Sequence, residues 1–442
     1  MSNRQMSLGA FLMGSGHHVA AWRHPRAWAG GNLDFAHFKR LAQTAERGKF
    51  DAIFFADNLA LMGSPELGQY TTAGDVFDPL VLLSGLATVT ERIGLVSTVS
   101  TSYNAPYLLA RKFASLDHLS NGRSAWNLVT SATDLEALNF GREEHFEHGD
   151  RYQRAEEFID VVTGLWDSFE DDAFVHDKAS GVYFKPHKLH TLGHRGDYYQ
   201  VRGPLNIPRT PQGHPVLIQA GSSEPGKALA ARTAEVVFTA QQTLGNAQAF
   251  YTDLKGRLAA HGRGRDELKI MPGISPVIGR SQGEAEDIFG ELQARLDPRV
   301  GLGLLAGMAG GVDLSGHDLD GPLPELPVSN AMQSRQALFI DLARRENLSI
   351  RQLYLKVAGA RGHHTVIGTP QAVADTLEQW FVEGAGDGFN IMPPILPGGL
   401  DDFVQQVVPI LQQRGLFRRE YSGTTLRQHL GLARPGNRHA GP

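Results

Sequence analysis

Eight short apolar runs, separated by longer segments of helical periodicity, constrain the fold of this 442-residue chain more than any other feature. Runs of this kind, almost continuously apolar, are typical of strands in a parallel sheet that is buried on both faces. Amphipathic segments at Phe35–Glu46, Pro79–Val89 and Pro106–Leu119 predict helices between the first four runs. The eight predicted strands are Met6–Met13, Asp51–Asp57, Ile93–Ser100, Ser124–Ser131, Pro215–Gly221, Glu235–Gln241, Lys269–Gly279 and Gly388–Pro394.

These eight strand–helix units predict an α/β protein, with residues 1–442 forming a single (β/α)8 barrel, the TIM-barrel fold. An open, doubly wound sheet is the alternative architecture. The number of units favours the barrel, and so do the polar residues that are dispersed over many strand ends.

Two stretches interrupt the alternation and predict insertions after the fourth and seventh strands. Residues 171–214 are rich in Gly, Pro, His and aromatic residues, and residues 282–367 form a longer segment. Within the second, Gly301–Pro327 is glycine-rich, largely apolar and interrupted by prolines. Long irregular segments in compact domains are often binding loops, so this insertion is predicted to be an active-site lid, with a passive surface loop as the alternative. The tail from Arg434 is predicted to be frayed.

The composition argues against several classes of function. The chain has no cysteine, which excludes disulfides and thiolate metal sites. A net charge of -5 without a long basic run argues against nucleic acid as a partner. No segment approaches the roughly 20 apolar residues of a membrane helix, and the N-terminus lacks the pattern of a signal peptide. We therefore expect a soluble, cytoplasmic protein that binds neither membrane nor nucleic acid.

Polar side chains follow most of the predicted strands, at the end of a barrel where ligands bind. Any one of them could simply cap the next helix, but their recurrence at successive strand ends favours a ligand site. The segment QAGSSEPG (Gln219–Gly226) adds a helix N-terminus that suits a phosphate, although Ser223 could be an N-cap alone. The strand-end candidates are His17, His18, Asp57, Asn58, Thr98, Ser100, Thr101, Asn127, Thr130, Ser131, Ser222, Ser223 and Gln241.

Adjacent histidines at His17–His18 and at His363–His364 raise the question of a metal. Neighbouring side chains on an extended chain point to opposite sides and do not easily share one ion. No HExxH motif is present, so no metal site is predicted. A histidine over the barrel mouth is more consistent with substrate binding or proton transfer.

The segment HGDRYQRAEEF begins a predicted helix in which His148 and Tyr152 are four residues apart. Side chains at this spacing share one face of a helix. The spacing allows the two residues to bind a ligand together, but it fits an ordinary solvated helix start equally well.

Six stretches, in order along nearly the whole chain, resemble the bacterial-luciferase-like flavin monooxygenases, in particular the nitrilotriacetate and dibenzothiophene sulfone monooxygenase group. The resemblance implies a TIM barrel that binds reduced FMN (FMNH2) supplied by a separate NAD(P)H-dependent flavin reductase. Such enzymes react FMNH2 with O2 to form a flavin peroxide, which oxygenates a small organic substrate. The resemblance also implies a homodimer or homotetramer. The stretches are AAWRHP, ERGKFDAIFFADNLA, STVSTSYNAPYLLARKFASLDHLSNGRSAWNLVTS, HGDRYQRAEEFIDVVTGLWDSFEDDA, GPLNIPRTPQGHPVLIQAGSSEPG and VVPILQQRGLFRREYSGTTLRQHLGL.

The resemblance places four candidates around the flavin ring. Asp57 matches an acid at the end of the second strand in the flavin site. Thr98 matches a position near the isoalloxazine ring, with Thr101 as the alternative because the register is ambiguous. Asn127 matches a flavin contact on the fourth strand.

The resemblance gives the remaining candidates to the phosphate and to the chemistry. His148 and Tyr152 match a pair that holds the FMN phosphate and ribityl chain. Ser223 matches a phosphate-binding serine, with Ser222 beside it.

Two histidines are candidates for the chemistry itself. His17 matches a histidine at the substrate mouth, and His18 is nearly as good a match because the spacing to AAWRHP differs by one. His317, in the predicted lid, matches a second active-site histidine only loosely.

The substrate class stays open. Gly301–Pro327 contains no Lys or Arg, which favours a neutral, hydrophobic substrate such as a sulfone or haloaromatic. An aminopolycarboxylate, the alternative, needs positive charge in the pocket, which Arg23 and His24 could supply. An F420-dependent oxidoreductase and a non-catalytic flavin-binding barrel are further alternatives to a monooxygenase.

Overall fold

The computed structural model describes residues 4–61, 64–72, 74–327 and 333–440. Its strands, in chain order, are β1 (Ser7–Phe11), β2 (Ala52–Phe55), β3 (Gly94–Ser100), β4 (Ser124–Val129), β5 (Phe174–Asp177), β6 (Val182–Phe184), β7 (His194–Arg195), β8 (Gln200–Val201), β9 (Val216–Ala220), β10 (Val236–Thr239), β11 (Lys269–Ile278), β12 (His364–Gly368) and β13 (Gly388–Ile391).

Helices cover most of the chain between the strands. The α-helices are α1 (Phe35–Arg47), α2 (Pro65–Gly68), α3 (Pro79–Ala87), α4 (Pro106–Leu119), α5 (Asp134–Leu138), α6 (His148–Trp166), α7 (Glu224–Thr233), α8 (Leu244–Arg257), α9 (Gln282–Ala294), α10 (Pro298–Met308), α11 (Gln333–Arg345), α12 (Ile350–Ala360), α13 (Pro370–Val382), α14 (Gly398–Asp402), α15 (Val408–Gln413) and α16 (Leu426–Leu430). Short 3-10 turns lie at Ala21–Arg23, Gly31–Leu33, Pro186–Lys188, Leu258–His261 and Arg265–Glu267, and a π segment at Phe403–Val407 joins α14 to α15.

Eight parallel strands close into a barrel, as the sequence predicts. Around the ring the order is β1, β2, β3, β4, β9, β10, β11 and β13, and β13 pairs again with β1. The pairing of β10 with β11, for example Val236 with Lys269, completes the ring. An open sheet leaves two edge strands unpaired, so this closure excludes the doubly wound alternative.

A ninth parallel strand, β12, was not predicted. The barrel strand β11 is ten residues long, and its pairing with the ring strands β10 and β13 ends at Ile274. The rest of the strand, up to Ile278, extends beyond the ring, and β12 pairs with Ile274–Ile278. All but the last residue of β12, HTVIG, falls in the predicted insertion 282–367.

Local sequence signals explain why the helices begin where they do. The side chains of Asp34, Asp78 and Ser223 accept a hydrogen bond from a backbone N–H in the first turn of α1, α3 and α7. Such capping satisfies N–H groups that have no partner inside the helix. Each cap follows a barrel strand or its loop, so the turn chemistry fixes the alternation of strands and helices.

The second insertion contains more regular structure than the sequence predicts. The first eight residues of the segment Gly301–Pro327 belong to α10. Asp297 caps this helix and Pro298 occupies its first turn, which offsets the low helix propensity of its glycines. Helix α10 packs on α12 through an apolar cluster that includes Leu305 and Tyr354. The first insertion, residues 171–214, holds two small antiparallel hairpins, β5–β6 and β7–β8.

The prediction of a frayed tail from Arg434 is wrong for the residues up to 440. The Arg434 guanidinium donates to Asp171, with an Nη1–Oδ2 distance of 2.9 Å. The Asn437 amide donates to the Phe169 carbonyl at 2.9 Å, and Arg438 forms an ion pair with Asp167 at 3.1 Å. These long-range contacts hold the tail against the end of α6 and cannot be inferred from its Gly- and Pro-rich composition.

In the described parts of the chain, no helix combines the length and the apolar character that crossing a bilayer requires.

Candidate active site

The barrel mouth, at the carboxyl ends of the strands, has a floor of three phenylalanines. Phe11, Phe54 and Phe238, referred to below as the aromatic floor, come from β1, β2 and β10. Their ring centroids lie 4.6 Å apart for Phe11–Phe54 and 5.6 Å apart for the other two pairs. All three are buried, so they offer an apolar bed for a planar ligand.

Thr98 and Asn127, predicted to contact the flavin, lie side by side at this end of β3 and β4. The Thr98 hydroxyl donates to the Phe55 carbonyl at 2.7 Å and accepts from Asn127 Nδ2 at 2.8 Å. The other atom of the amide, Asn127 Oδ1, is buried without a partner in the described structure. Buried acceptors are normally satisfied, so this oxygen is free to accept an N–H group of a ligand.

Thr101, the alternative to Thr98, uses its polar groups within the protein. Its backbone N–H and its hydroxyl both donate to the Val129 carbonyl, at 2.9 and 3.3 Å. Thr98 is therefore the threonine of β3 that adjoins Asn127.

Asp57 lies in the loop that follows β2 and is half-buried. Burial, together with the nearby negative charges of Asp78 and Glu136, raises the pKa of its carboxyl group to about 7. At neutral pH the group exists in both protonation states, so it can either donate or accept a hydrogen bond.

Glu136 is a residue that sequence reasoning missed. It is buried, and it accepts hydrogen bonds from the Ser131 hydroxyl at 2.9 Å and the Ala132 N–H at 3.1 Å. Ser131 adopts a left-handed backbone conformation with φ of 57°, so Glu136 stabilises a strained turn directly beyond β4. Its sequence context, TDLEAL, is indistinguishable from that of an exposed helix start.

The predicted phosphate residues converge at the start of α7. The Tyr152 and Ser223 hydroxyls lie 3.2 Å apart, and the His148 and Tyr152 rings share a face of α6 with centroids 5.1 Å apart. Ser223 also caps α7 by accepting from the Gly226 N–H at 3.3 Å. A Cβ atom at Gly226 would lie only 3.0 Å from Ser223 Oγ and 3.1 Å from Tyr152 Oη, so the cradle needs glycine there. Ser222 is half-buried beside it.

Of the two adjacent histidines, His17 is the one that faces the aromatic floor. Its ring lies 4.4 Å from that of Phe11, and Nε2 donates to the Phe11 carbonyl at 2.9 Å. His17 Nδ1 is buried without a partner among the described residues. Burial, reinforced by the charge of Arg361, lowers the pKa of His17 to about 3, so the ring is neutral. His18 instead turns toward α9, where Nε2 lies 3.4 Å from Gln293 Oε1.

His317 lies in the loop after α10, and its side chain is exposed. The structure does not bring it together with His17, and its catalytic role stays a prediction.

Three basic residues near His17 were not predicted as site residues. Arg335 lies in the first turn of α11, and Arg361 and His363 lie in the turn between α12 and β12. The His363 ring stacks on Phe238 with a centroid distance of 4.9 Å. The segment RGHHTVIG was weighed for its histidines alone, first for a metal and then for substrate binding or proton transfer. An arginine on an amphipathic helix normally indicates a solvated face.

The residues present fit a flavin mononucleotide. The buried Asn127 Oδ1 and the Thr98 hydroxyl suit the polar edge of the ring, the aromatic floor suits its faces, and the Ser223–Tyr152 cradle suits a phosphate at a helix N-terminus. Within the described ranges, no three His, Asp or Glu side chains converge on a point that could hold a metal ion.

Comparison with known proteins identifies the family of the chain. The family described as luciferase-like monooxygenase matches residues 13–388, so the chain belongs to this family. The chain is 54% identical to the N-acetyl-S-(2-succino)cysteine monooxygenase of Bacillus subtilis (strain 168), over 99% of both chains. It is 52% identical to nitrilotriacetate monooxygenase component A of Aminobacter aminovorans (100% and 99% covered) and 41% identical to the dibenzothiophene-sulfone monooxygenase of Rhodococcus erythropolis (98% of both).

Solved structures give the same result. DmoA from Hyphomicrobium sulfonivorans superposes with a TM-score of 0.89 at 34% identity, over 97% of this chain and 92% of that one. A riboflavin lyase, RcaE, solved with modified FMN and riboflavin, superposes with a TM-score of 0.88 at 32% identity, over 97% and 96%. The predicted family and TIM-barrel fold are thus confirmed, and the protein is a flavin-dependent monooxygenase.

Proposed function

We propose that the protein is the oxygenase component of a two-component system and that its flavin is FMN. In this proposal a separate NAD(P)H-dependent flavin reductase supplies FMNH2, and the chain oxygenates a small organic substrate. The balanced reaction is substrate + O2 + FMNH2 → oxygenated substrate + FMN + H2O. The observation that carries the proposal is the Ser223–Tyr152 cradle at the start of α7, 3.2 Å across, on the same barrel mouth as the buried, partnerless Asn127 Oδ1.

Each group at the mouth has a role in this proposal. Ser223, Tyr152 and His148 hold the phosphate and ribityl chain, while Thr98 and Asn127 orient the ring. FMNH2, when bound, supplies the two electrons with which O2 is activated. Asp57, with its pKa near 7, accepts or donates a proton at the edge of the site.

His17 has a more restricted role than proton transfer. A ring whose pKa is lowered to about 3 does not take up a proton at neutral pH. Because Nε2–H is donated to the Phe11 carbonyl, Nδ1 presents a lone pair. His17 is therefore proposed to accept a hydrogen bond from the substrate or from the oxygen being transferred.

Exclusion of water is the role proposed for the second insertion, residues 282–367, as a lid. Activated oxygen is lost as hydrogen peroxide when water and protons reach the site. The packing of α10 on α12 gives this insertion an apolar inner layer. The family resemblance also supports a homodimer or homotetramer, which light scattering of the purified protein will test.

The names of the relatives do not fix the substrate. The relatives at 54% and 52% identity are named for compounds that carry several carboxylates. The relative at 41% identity is named for an uncharged sulfone. Both the neutral substrate and the aminopolycarboxylate considered above thus have a precedent among relatives.

Anaerobic binding followed by exposure to O2 tests the proposed function. FMNH2 is titrated into the protein without oxygen and then mixed with O2, and the spectrum is followed. We expect reoxidation with a rate and spectrum different from those of free FMNH2, and incorporation of one atom from 18O2 into product when a reductase and a substrate are supplied. Reoxidation that is indistinguishable from that of free FMNH2 would contradict the proposal.

A further inference from the structure

Two arginines, Arg335 and Arg361, lie together at the barrel mouth and are referred to below as the arginine pair. Arg335 Nη1 donates to the Arg361 carbonyl at 2.7 Å, and Arg361 Nη1 donates to the His17 carbonyl at 2.6 Å. Arg335 Nη2 lies 2.9 Å from His363 Nε2. The arginine pair is thus connected on one side to His17 and on the other, through His363, to Phe238 of the aromatic floor.

In the described part of the chain, the arginine pair has no counter-charge. Among the described residues, no carboxylate forms an ion pair with Arg335 or with Arg361. By contrast, Arg209 is paired with Asp167, and Arg427 is paired with Glu235. An uncompensated guanidinium in a partly dehydrated position destabilises the folded state unless a ligand supplies the opposite charge.

The arginine pair also leaves hydrogen-bond donors unused, as a comparison with Arg123 shows. Arg123 is buried without an ion pair, but all five of its guanidinium N–H groups are donated to backbone carbonyls and to Thr90. Within the described structure, Arg335 uses two of its five N–H groups and Arg361 only one. Arg123 is therefore a structural arginine, and the arginine pair retains donors for a ligand.

The surrounding groups increase the positive potential. Burial lowers the pKa of both arginines to about 10, so both are still charged at neutral pH. Arg335 sits in the first turn of α11, where the helix dipole is also positive. His363 Nε2 lies 2.9 Å from Arg335 Nη2, and burial beside the arginine pair holds the pKa of His363 well below its usual value, so its ring is neutral and supplies no counter-charge.

The backbone is arranged to hold these groups. Arg361 adopts a left-handed conformation with φ of 49° and is followed by Gly362 with φ of 86°. Non-glycine residues adopt this conformation rarely, and it persists only where the surrounding structure holds it. A Cβ atom at Gly362 would lie 3.1 Å from Arg335 Nη1, and one at Gly273 would lie 2.3 Å from His363 Nδ1. Both glycines therefore permit the close approach of the basic groups.

We propose that the arginine pair binds the carboxylates of an anionic substrate, with at least two carboxylate groups, beside His17 at the barrel mouth. Guanidinium groups match carboxylates in shape and bind them through paired hydrogen bonds, and the two arginines provide one such site each. His17 Nδ1 then faces the carbon, nitrogen or sulfur atoms between the carboxylates. This proposal rests on the proposed function, because it assigns the substrate of that site.

The same geometry explains why the sequence favoured a neutral substrate. That inference rested on the lack of Lys and Arg in Gly301–Pro327. The positive charge comes instead from α11 and from the turn after α12, outside that segment. Arg23, considered as a source of charge, is exposed and donates to the Arg295 carbonyl.

Direct binding to the FMN-loaded protein tests the proposal without relying on turnover. Iminodiacetate, thiodiacetate and nitrilotriacetate are titrated by calorimetry beside their methyl esters, which have the same skeleton without the charge. We expect at least one acid to bind at least about 10-fold more tightly than its ester. Arg335→Gln and Arg361→Gln should each raise the dissociation constant of that acid by at least about 10-fold. Arg344→Gln, at an exposed arginine of α11, should leave this dissociation constant unchanged. If every ester binds as well as its acid, the proposal is wrong.

Two further readouts separate this proposal from its rivals. FMN and riboflavin affinities are measured in both variants. A loss confined to FMN would assign the arginine pair to the flavin phosphate and overturn the proposal, whereas unchanged values support it. If acid binding depends on both arginines but the protein fails the FMNH2 and O2 test, the anion site is supported and the proposed function is wrong. If substrate oxygenation occurs and neither substitution affects it, the proposed function is supported and the anion site is wrong.

Discussion

The contact between Tyr152 and Ser223 joins two helices that are far apart in the sequence. Tyr152 lies in the second turn of α6, and Ser223 is the N-cap of α7. Ser223 already accepts from the Gly226 N–H, so the cap does not require Tyr152. The 3.2 Å hydroxyl contact is therefore available for a third group, which in the proposed function is the FMN phosphate.

Tyr152→Phe should raise the dissociation constant of FMN roughly 3- to 10-fold, because one hydrogen bond to a charged phosphate is lost. Riboflavin, which lacks the phosphate, should bind with unchanged affinity, and anaerobic titration of both flavins measures the difference. Tyr183→Phe, at an exposed tyrosine of the β5–β6 hairpin, is the matched control. An equal loss of affinity for both flavins would show that Tyr152 does not contact the FMN phosphate.

The raised pKa of Asp57 makes the stability of the folded protein depend on pH. Burial, with Asp78 and Glu136 nearby, raises its folded-state pKa from 3.8 to about 7. In the unfolded chain the group ionises near its ordinary pKa. The folded state therefore binds a proton more tightly, and it loses stability as the pH rises from about 4 to about 7.

Asp57→Asn should remove this pH dependence. We expect the variant to be more stable than the natural protein by about 1–2 kcal/mol at pH 8, with the advantage shrinking toward pH 4, because solvent screens a half-buried carboxylate. Denaturant unfolding of the flavin-free protein at pH 4, 6 and 8 gives the difference. Asp287→Asn, at an exposed position of α9, should show no such trend. A constant difference across the pH range would mean that Asp57 does not titrate near pH 7.

At the scale of elements, two glycines of α10, Gly301 and Gly307, differ in whether the packing of the helix requires them. Gly301 faces α12, and a Cβ atom there would lie 2.5 Å from Cδ2 of the buried Tyr354 ring. Gly307 lies in the same helix with no atom within 4 Å of the corresponding position. The first glycine thus permits close packing of the two helices, and the second has no packing role.

Gly301→Val should destabilise the protein by about 1–3 kcal/mol through overpacking against Tyr354. If the insertion is the proposed lid, the variant should also release a larger fraction of the consumed O2 as hydrogen peroxide, measured with a peroxidase assay. Gly307→Val is the matched control and should alter stability by no more than about 0.5 kcal/mol. If the Gly301 variant has wild-type stability and releases no more hydrogen peroxide than the wild type, α10 does not pack on α12 in solution.

The strands illustrate what local sequence can and cannot predict. All eight barrel strands lie within or close to their predicted bounds, because each is a continuous apolar run that only a doubly buried position accommodates. The run HTVIG of β12 is too short and too polar to stand out, and it becomes a strand only because β11 extends beyond the ring to pair with it. Pairing partners of this kind are a property of the folded chain.

For the whole molecule, some residues of the candidate site could be predicted from the sequence and others could not. Residues at strand ends, such as Thr98 and Asn127, were predictable because the barrel brings all carboxyl ends of its strands to one face. Arg335 and Arg361 lie in an insertion. Arg335 contacts His363, and Arg361 contacts His17, which is more than 300 residues away in the sequence. Only the closed barrel shows that these residues meet.

The opposite end of the barrel is closed by apolar packing. Helix α16 closes it with Leu426 and Leu430, which belong to the same interior cluster as Phe54 and Val96. A Cβ atom at Gly94, where β3 begins, would lie 2.6 Å from Leu426 Cδ1, so this leucine is packed directly against the start of β3. The polar site residues Thr98 and Asn127 lie farther along β3 and β4, toward the carboxyl ends, and are thus separated from this closure.

Leu426→Ala should therefore lower stability without altering the site. We expect a loss of about 2–5 kcal/mol, the usual cost of truncating a fully buried leucine, because the side chain is 0% exposed. Denaturant unfolding measures this loss, and titration of the variant below its unfolding transition should give an unchanged FMN dissociation constant. Leu135→Ala, at an exposed leucine, is the control for stability. A large change in FMN affinity would show that the two ends of the barrel are coupled, contrary to the separation argued from the packing of α16.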